Sequence, residues 1–157
     1  MRQRLIALVA ALNLAFADQV AKELAIHHLK GQSAVEVIGG FFNLAYVENR
    51  GCAWGMLQGQ VWPLAAFGVL ALVFLVWKQK SIFGQGILTP AILYAGIAGN
   101  LIDRLFRGFV VDMFDFHWRL AHFPCFNLAD AFITAAALLM LADEARRLYL
   151  GRAHGKR

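Results

Sequence analysis

The stretch from Val61 to Trp77 (VWPLAAFGVLALVFLVW) contains no charged residue, and it restricts the possible folds of this chain more than any other feature. A helix of about 17 apolar residues is just long enough to cross the hydrocarbon core of a bilayer. Trp62 and Trp77 bracket the stretch about 22 Å apart along a helix, so each ring can lie near one membrane interface. Pro63 falls in the first helical turn, where its missing N–H costs nothing. This stretch therefore predicts a membrane-spanning helix.

Three further apolar stretches, at about 5–26, 86–102 and 126–142, repeat the pattern. Hydrophobic residues make up 60% of the chain and charged residues 16%, whereas a soluble domain is about half apolar and about a quarter charged. We therefore predict an all-α membrane protein that forms one domain over residues 1–157, with four transmembrane helices. Its outer loops would cover about 27–60 and 103–125.

The positions of the basic residues predict the orientation of these helices. They cluster at both ends of the chain and between the second and third spans, as is typical of cytoplasmic flanks. The cluster members are Arg2, Arg4, Lys78, Lys80, Arg146, Arg147, Arg152, Lys156 and Arg157. We therefore expect both termini in the cytoplasm and both larger loops outside. The net charge of +5 does not indicate nucleic-acid binding, because these charges flank apolar runs and share no solvated face.

Two segments at the outer side and the N-terminus need their own interpretation. The outer segment Ala34 to Tyr46 (AVEVIGGFFNLAY) predicts a small β-hairpin or an amphipathic patch lying against the membrane surface. Arg2 and Arg4, an apolar run and Ala15-Phe16-Ala17 also fit a cleaved signal peptide. The three further spans favour a retained helix over that alternative.

Ionisable residues inside or beside membrane spans are candidates for function. Asp18 and Lys22 lie four residues apart, so on a helix they form either a plain ion pair or part of a site. The segment from Asn49 to Gly55 (NRGCAWG) reads either as a turn or as backbone that approaches a ligand closely, with Trp54 near the interface.

Asp112 differs from the other acidic residues, because its neighbours Val110, Val111, Met113 and Phe114 are apolar. No cation lies within three residues of it, so desolvation should raise its pKa. By contrast, we expect Asp103 to form a local ion pair with the adjacent Arg104, and Asn100 to share the helical face of Asp103.

Asp130 follows Asn127, a favourable helix N-cap, at the start of the fourth span. It could complete a capping box or face the same outer interface as Asp112. Two carboxylates in a poorly solvated site share one proton. The ionised carboxylate can then take a proton from attacking water while its partner donates one to the developing oxyanion. The pair predicts hydrolysis of a peptide bond without metal, cofactor or covalent intermediate.

The sequence lacks the motifs that a serine mechanism or a zinc mechanism of hydrolysis requires. Ser33 and Ser81 have no GxSxG context, and the chain contains no HExxH. Cys52 and Cys125 have no CxxC spacing. We expect no metal site, because His27 and His28 are adjacent and His117 and His122 stand alone.

Five blocks in order make the chain resemble the lipoprotein signal peptidases (signal peptidase II), which are membrane aspartyl peptidases of bacteria. The blocks are DQVAK at 18–22, NRGCAWG at 49–55, GNLIDR at 99–104, VVDMFDF at 110–116 and FNLADAFI at 126–133. The resemblance implies that Asp112 and Asp130 are the catalytic pair. It further implies that a set of residues lines or supports the site: Asp18, Lys22, Asn49, Gly51, Asn100, Asp103, Arg104, Asn127 and Ala129.

The resemblance also implies a reaction and a location. The family removes the signal peptide of a prolipoprotein on the N-terminal side of a diacylglyceryl-modified cysteine, and globomycin-type cyclic peptides inhibit it. In the family the outer loop before the second span forms a small extracytoplasmic β-cradle, which agrees with the hairpin predicted at 34–46. We expect a monomer in the bacterial cytoplasmic membrane, in contact with membrane lipid, with its site near the outer face. Cys52 stands where the family often has Ala, and Asp115, out of block register, is expected to be a solvated interfacial charge.

One alternative function uses the same aspartates. Asp112 and Asp130 could relay protons in a small transporter or channel component. A relay needs polar groups near the midplane of several spans, whereas here they concentrate at the outer ends. A structural scaffold, a third possibility, would tolerate Asp112→Asn and Asp130→Asn.

Overall fold

Helices and a small antiparallel sheet alternate along the computed structural model, which describes residues 2–52, 56–84, 86–118 and 121–154. The helices are α1 (Arg2–Leu29), α2 (Val61–Trp77), α3 (Gln79–Phe83), α4 (Leu88–Phe106) and α5 (Leu128–His154). The strands are β1 (Val35–Ile38), β2 (Phe42–Asn49), β3 (Val110–Trp118) and β4 (Ala121–His122). The four apolar stretches thus correspond to α1, α2, α4 and α5, and α1 and α5 are longer than the stretches that predicted them.

Helix α4 lies at the centre and packs against α1, α2 and α5. Two glycines permit this close packing. A Cβ on Gly96 would lie 2.5 Å from the carbonyl oxygen of Ala129 in α5, and a Cβ on Gly99 would lie 2.5 Å from Oδ2 of Asp18 in α1. Since real Cβ atoms do not approach other atoms so closely, any larger residue would separate the helices that carry the polar residues.

The sheet has the order β1-β2-β3-β4, with antiparallel neighbours. The predicted hairpin is confirmed, and its turn contains Gly40 at a φ of 68°. The sheet is larger than predicted, because β3 and β4 occupy a segment assigned to an outer loop. Valines and aromatic residues of β3 favour a strand. Val111 and Met113 of this strand pack against Ala25 and Leu29 of α1, which attaches the sheet to the end of that helix.

Only α1, among the described residues, is both long and apolar enough to count as a membrane span by length and composition. Helix α2 is apolar throughout but has 17 residues. Its side chains are widely exposed, including Trp62, Phe67, Leu70 and Trp77. The number of spans therefore stays a prediction. Helix α1 runs without a break through Ala15-Phe16-Ala17, and it buries Ala15 and Asp18.

Candidate active site

Asp112 is buried in β3, opposite Val47 of β2, with 1% of its surface exposed. Asn49 at the end of β2 donates a hydrogen bond from Nδ2 to Asp112 Oδ2 over 3.0 Å. Asn127 donates from its Nδ2 to Asp112 Oδ1 over 2.7 Å. Both carboxylate oxygens therefore accept bonds from neutral amides, and the orientation of Asp112 depends on strand pairing and on the start of α5.

Asp130 lies in the first turn of α5. Its backbone N–H donates to Asn127 Oδ1 over 3.0 Å, while the Asn127 backbone N–H donates to Asp130 Oδ2 over 3.3 Å. This reciprocal pair is a capping box with Asp in place of Glu, so the predicted N-cap is confirmed. Asp130 Oδ1 accepts a 2.7 Å bond from Nδ2 of Asn100 in α4. Asp130 therefore caps α5 with one carboxylate oxygen and binds α4 with the other.

Two asparagines join Asp112 and Asp130 into one network. Asn127 donates to Asn100 Oδ1 over 3.2 Å as well as to Asp112. Asn127 is fully buried, and Asn100 is 6% exposed. Residues from β2, β3, α4 and α5 therefore meet at one point, as the sequence predicted for the two aspartates.

Burial, followed by repulsion from Asp130, raises the pKa of Asp112 to about 7. The bonds from Asn49 and Asn127 act in the opposite direction, because they favour the charged carboxylate. Two interacting carboxyls titrate as a pair. Near neutral pH this pair can hold one proton, which is the charge state that acid–base chemistry needs.

A second network, centred on Lys22, lies behind the first. The fully buried Lys22 Nζ is 2.9 Å from Asp18 Oδ2 and 3.1 Å from Asp103 Oδ2, which confirms the predicted Asp18–Lys22 pair. Nζ also donates to Asn100 Oδ1 over 3.1 Å. Asp18 Oδ1 accepts a 2.8 Å bond from the backbone N–H of Ala129. This ion cluster therefore holds both α4 and the beginning of α5.

The predicted local pair of Asp103 and Arg104 is wrong. Asp103 is fully buried and pairs with Lys22 and Arg107, and it accepts a 2.9 Å bond from the Val111 backbone N–H. Adjacent helical side chains point in different directions, whereas residues four apart share a face. Arg104 instead donates to the carbonyl oxygen of Gly51 over 2.9 Å.

Sequence reasoning missed Arg107 and Gln19. Arg107 donates to Gln19 Oε1 over 2.8 Å and pairs with Glu23 as well as Asp103. Gln19 in turn donates from Nε2 to Asp103 Oδ1 over 3.1 Å. The spacing of four residues between Asp103 and Arg107 was the signal that could have identified the arginine.

The segment after β2 both turns back on itself and approaches this site closely, so it combines the two alternatives that NRGCAWG left open. The Gly51 N–H donates to Asn49 Oδ1 over 2.9 Å. A Cβ on Gly51 would collide with the Met56 carbonyl oxygen and lie 3.1 Å from the Gln58 nitrogen. Only glycine fits between these backbone atoms. The expectation for Trp54 concerns a residue outside the described part of the chain.

A cavity of about 910 Å³ lies beside Asp130, between α2, α4 and α5. Its polar residues include Asn49, Asn100, Arg104 and Asp130. Apolar side chains such as Phe67, Ile97 and Leu138 line the rest. The cavity therefore suits a ligand with a long apolar part and a polar group next to Asp130.

The expectations for Asp115, His117 and His122, in β3 and β4, also need correction. Asp115 is not a freely solvated charge, since its side chain is 17% exposed. It accepts a 3.1 Å bond from Asn43 Nδ2 and lies 3.1 Å from His122 Nδ1. His117 and His122 do not stand alone, because they are register partners across β3 and β4. A strand pairing that the sequence reasoning had not recognised brings these residues together.

Comparison with known proteins identifies the family. A family model described as signal peptidase (SPase) II matches residues 10–146. The chain belongs to the signal peptidase II family. A lipoprotein signal peptidase of Ralstonia nicotianae is 41% identical over 137 residues, which are 83% of this chain and 79% of that protein. A lipoprotein signal peptidase of Burkholderia cenocepacia is 40% identical, over 83% of this chain and 82% of the relative.

Two solved structures are similar to this signal peptidase II family member over most of its length. Both are described as bacterial membrane enzymes determined by the in meso method, at 2.3 and 1.9 Å resolution. The first has a TM-score of 0.77 at 28% identity and covers 89% of this chain and 87% of the solved one. The second has a TM-score of 0.74 at 29% identity, with coverages of 87% and 90%. The likeness therefore extends over most of the fold.

Proposed function

We propose that this signal peptidase II family member removes signal peptides from prolipoproteins and that Asp112 and Asp130 form its catalytic pair. The cut lies on the N-terminal side of a diacylglyceryl-modified cysteine. The observation that carries the proposal is the shared network in which Asn127 and Asn100 hold the buried Asp112 carboxyl and the partly buried Asp130 carboxyl. Relatives described as lipoprotein signal peptidases support the substrate class.

In the proposed mechanism the pair carries one proton when the substrate binds. The ionised carboxylate takes a proton from water as the water oxygen bonds to the scissile carbonyl carbon. The protonated carboxyl donates to the carbonyl oxygen, which stabilises the tetrahedral intermediate. When the C–N bond breaks, a proton passes to the leaving amine of the modified cysteine. The oxygen atom of the attacking water thereby becomes part of the new carboxyl group of the signal peptide, and the aspartate pair returns to its singly protonated state.

The cavity supports this choice of substrate. Its apolar walls suit the hydrophobic segment of a signal peptide or the acyl chains of the modified cysteine. Its polar end, with Asp130 and Arg104, suits the scissile peptide. Inhibitors of the globomycin type, which are cyclic peptides, would occupy the same space.

We further propose that α1, α2, α4 and α5 span the bacterial cytoplasmic membrane, with the protein acting as a monomer. The basic clusters support cytoplasmic termini. Under this topology the sheet and the aspartate pair lie near the outer face, where a translocated prolipoprotein would present its cleavage site.

The proposal can be tested with the full chain reconstituted in vesicles together with a diacylglyceryl-modified prolipoprotein. Wild type should release the signal peptide, whereas Asp112→Asn and Asp130→Asn should bind substrate without cleaving it. Asp143→Asn, which removes an exposed carboxylate farther along α5, serves as the matched control. Full activity in either catalytic variant, or inhibition by a chelator at a temperature where the protein stays folded, would contradict the mechanism.

A further inference from the structure

The outer hairpin of β3 and β4 gathers three metal-ligating side chains on one face. Asp115 and His117 are two residues apart in β3, so they point to the same side of the sheet. His122 in β4 is the direct register partner of His117. The two imidazole rings stack with their centroids 5.2 Å apart. Strand pairing alone therefore places two histidines and one carboxylate together.

The distances within this cluster approach those of a metal site. One ligand atom from each of the three residues lies within 4.8 Å of the others, and His122 Nδ1 is 3.1 Å from Asp115 Oδ1. Ligand atoms around a tetrahedral Zn²⁺ lie about 3.4 Å apart, given bonds of about 2.1 Å. The His122 side chain is 59% exposed, so it is free to rotate and close this difference.

Two neighbouring features prepare the cluster for a cation. Asn43 donates a 3.1 Å bond to Asp115 Oδ2, which holds the carboxylate and leaves Oδ1 toward His122, as supporting residues do in metal sites. His117 Nδ1 is buried and has no hydrogen-bond partner within the described part of the chain. An unsatisfied buried nitrogen is costly, and a metal ion or its bound water would satisfy it.

We propose that Asp115, His117 and His122 bind one divalent transition-metal ion, of which Zn²⁺ is the natural probe. Two imidazoles and one carboxylate are a ligand set that Zn²⁺ and Cu²⁺ accept, with a fourth position open to water. The ion fastens β4 to β3 and so stabilises the strand that carries Asp112. It takes no part in hydrolysis, since the catalytic pair has its own asparagine network. This site does not depend on the proposed function.

Isothermal titration calorimetry of Zn²⁺ binding to the whole, tag-free chain in detergent tests the proposal. Wild type should bind one Zn²⁺ per chain and melt at a higher temperature with zinc than with EDTA. His117→Ala and His122→Ala should each weaken binding by about 100-fold or more and abolish the thermal shift. The control is the double variant His27→Ala/His28→Ala, which removes an exposed histidine pair of α1 and should bind like wild type.

Electron paramagnetic resonance of bound Cu²⁺ gives a second readout, because nitrogen couplings from two imidazoles should appear in wild type and diminish in His122→Ala. His122 is exposed, so this variant should fold even if His117→Ala does not. Stoichiometric binding that survives His122→Ala, or no Zn²⁺ binding by wild type, would overturn the proposal.

Discussion

Four aspartates lie at the same end of the helices, yet they fall into two contrasting pairs. Asp18 and Asp103 are fully buried and contact the ammonium group of Lys22. Asp112 and Asp130 contact asparagine side chains, and no ion pair joins either of them to a described cation. Asp112 is as buried as the first pair and Asp130 is partly buried. The main difference between the pairs is that, in the part of the chain that the structure describes, only the first pair has a cation to compensate its charge.

Under the proposed function, this difference separates structural carboxylates from reactive ones. A cation next to a buried carboxylate offsets the cost of burying its charge. A buried carboxylate held by amides and facing another carboxylate keeps a proton near neutral pH, as the pKa of about 7 for Asp112 indicates. Asn100 connects the two pairs, since it accepts from Lys22 and donates to Asp130. The ion cluster thus positions the reactive pair without neutralising it.

The largest effect should come from the amide-bound pair. Asp112→Asn and Asp130→Asn should each lower kcat by about 1,000-fold or more, because each removes one half of the proton transfer. The double variant should be about as slow as either single one, since residues that act as a unit are not additive. Cleavage kinetics on vesicles would measure this, and multiplicative losses would show that the two residues act separately.

The cation-bound pair should instead control stability. Asp103→Asn leaves Lys22 and Arg107 with one fewer buried anion, and breaking a buried pair costs about 3–5 kcal/mol. We expect a lower melting temperature in detergent, with kcat below that temperature within about tenfold of wild type. Asp143→Asn is the control. A catalytic loss as large as that of Asp112→Asn, without destabilisation, would erase the distinction between the pairs.

The pH dependence of stability should distinguish the pairs further. The folded-state pKa of Asp112 is about 7, against about 3.9 in an unfolded chain. The folded state binds more protons between these values, so the contribution of Asp112 to the free energy of unfolding falls as pH rises from about 4 to about 7. The total is at most about 4 kcal/mol.

Asp112→Asn should abolish this pH-dependent fall in the free energy of unfolding. The melting temperature of the variant minus that of wild type should therefore be larger at pH 8 than at pH 5. Thermal unfolding of both proteins at the two pH values would measure the difference. Parallel curves would mean that Asp112 is ionised throughout.

The smallest effect should come from the outermost partner of the ion cluster. The Glu23 side chain pairs with Arg107 but is 64% exposed. Exposed ion pairs contribute about 0–1 kcal/mol, so Glu23→Gln should change the melting temperature only slightly. A fall in melting temperature as large as that of Asp103→Asn would show that the ion cluster depends on the exposed pair of Glu23 and Arg107.

Local sequence patterns predicted the helices and the identity of the aspartates better than their partners. Apolar runs indicate helices, and Asn127 before Asp130 indicates a cap. The meeting of Asp112 with Asn127 depends on how α5 packs against the sheet, which no local pattern records. Adjacency in sequence suggests an ion pair between Asp103 and Arg104, whereas the helical period favours a pair between Asp103 and Arg107.

The sheet shows why the remaining part could not be predicted. In the block VVDMFDF the carboxylate of Asp112 points to a functional site, while the valines and aromatic residues around it favour a strand. The pairing of His117 with His122 depends on that strand and on the register of the hairpin. Without the register, two histidines five positions apart look unrelated.

Single-turnover cleavage of pre-bound substrate tests the catalytic role of Asp112 and Asp130 most directly. Each enzyme variant is first saturated with a fluorescent, diacylglyceryl-modified prolipoprotein, so that binding is measured before cleavage. We predict that Asp112→Asn and Asp130→Asn bind as wild type does and leave the substrate intact, while Asp103→Asn cleaves it below its melting temperature. Cleavage by either of the first two variants at the wild-type rate would contradict the account.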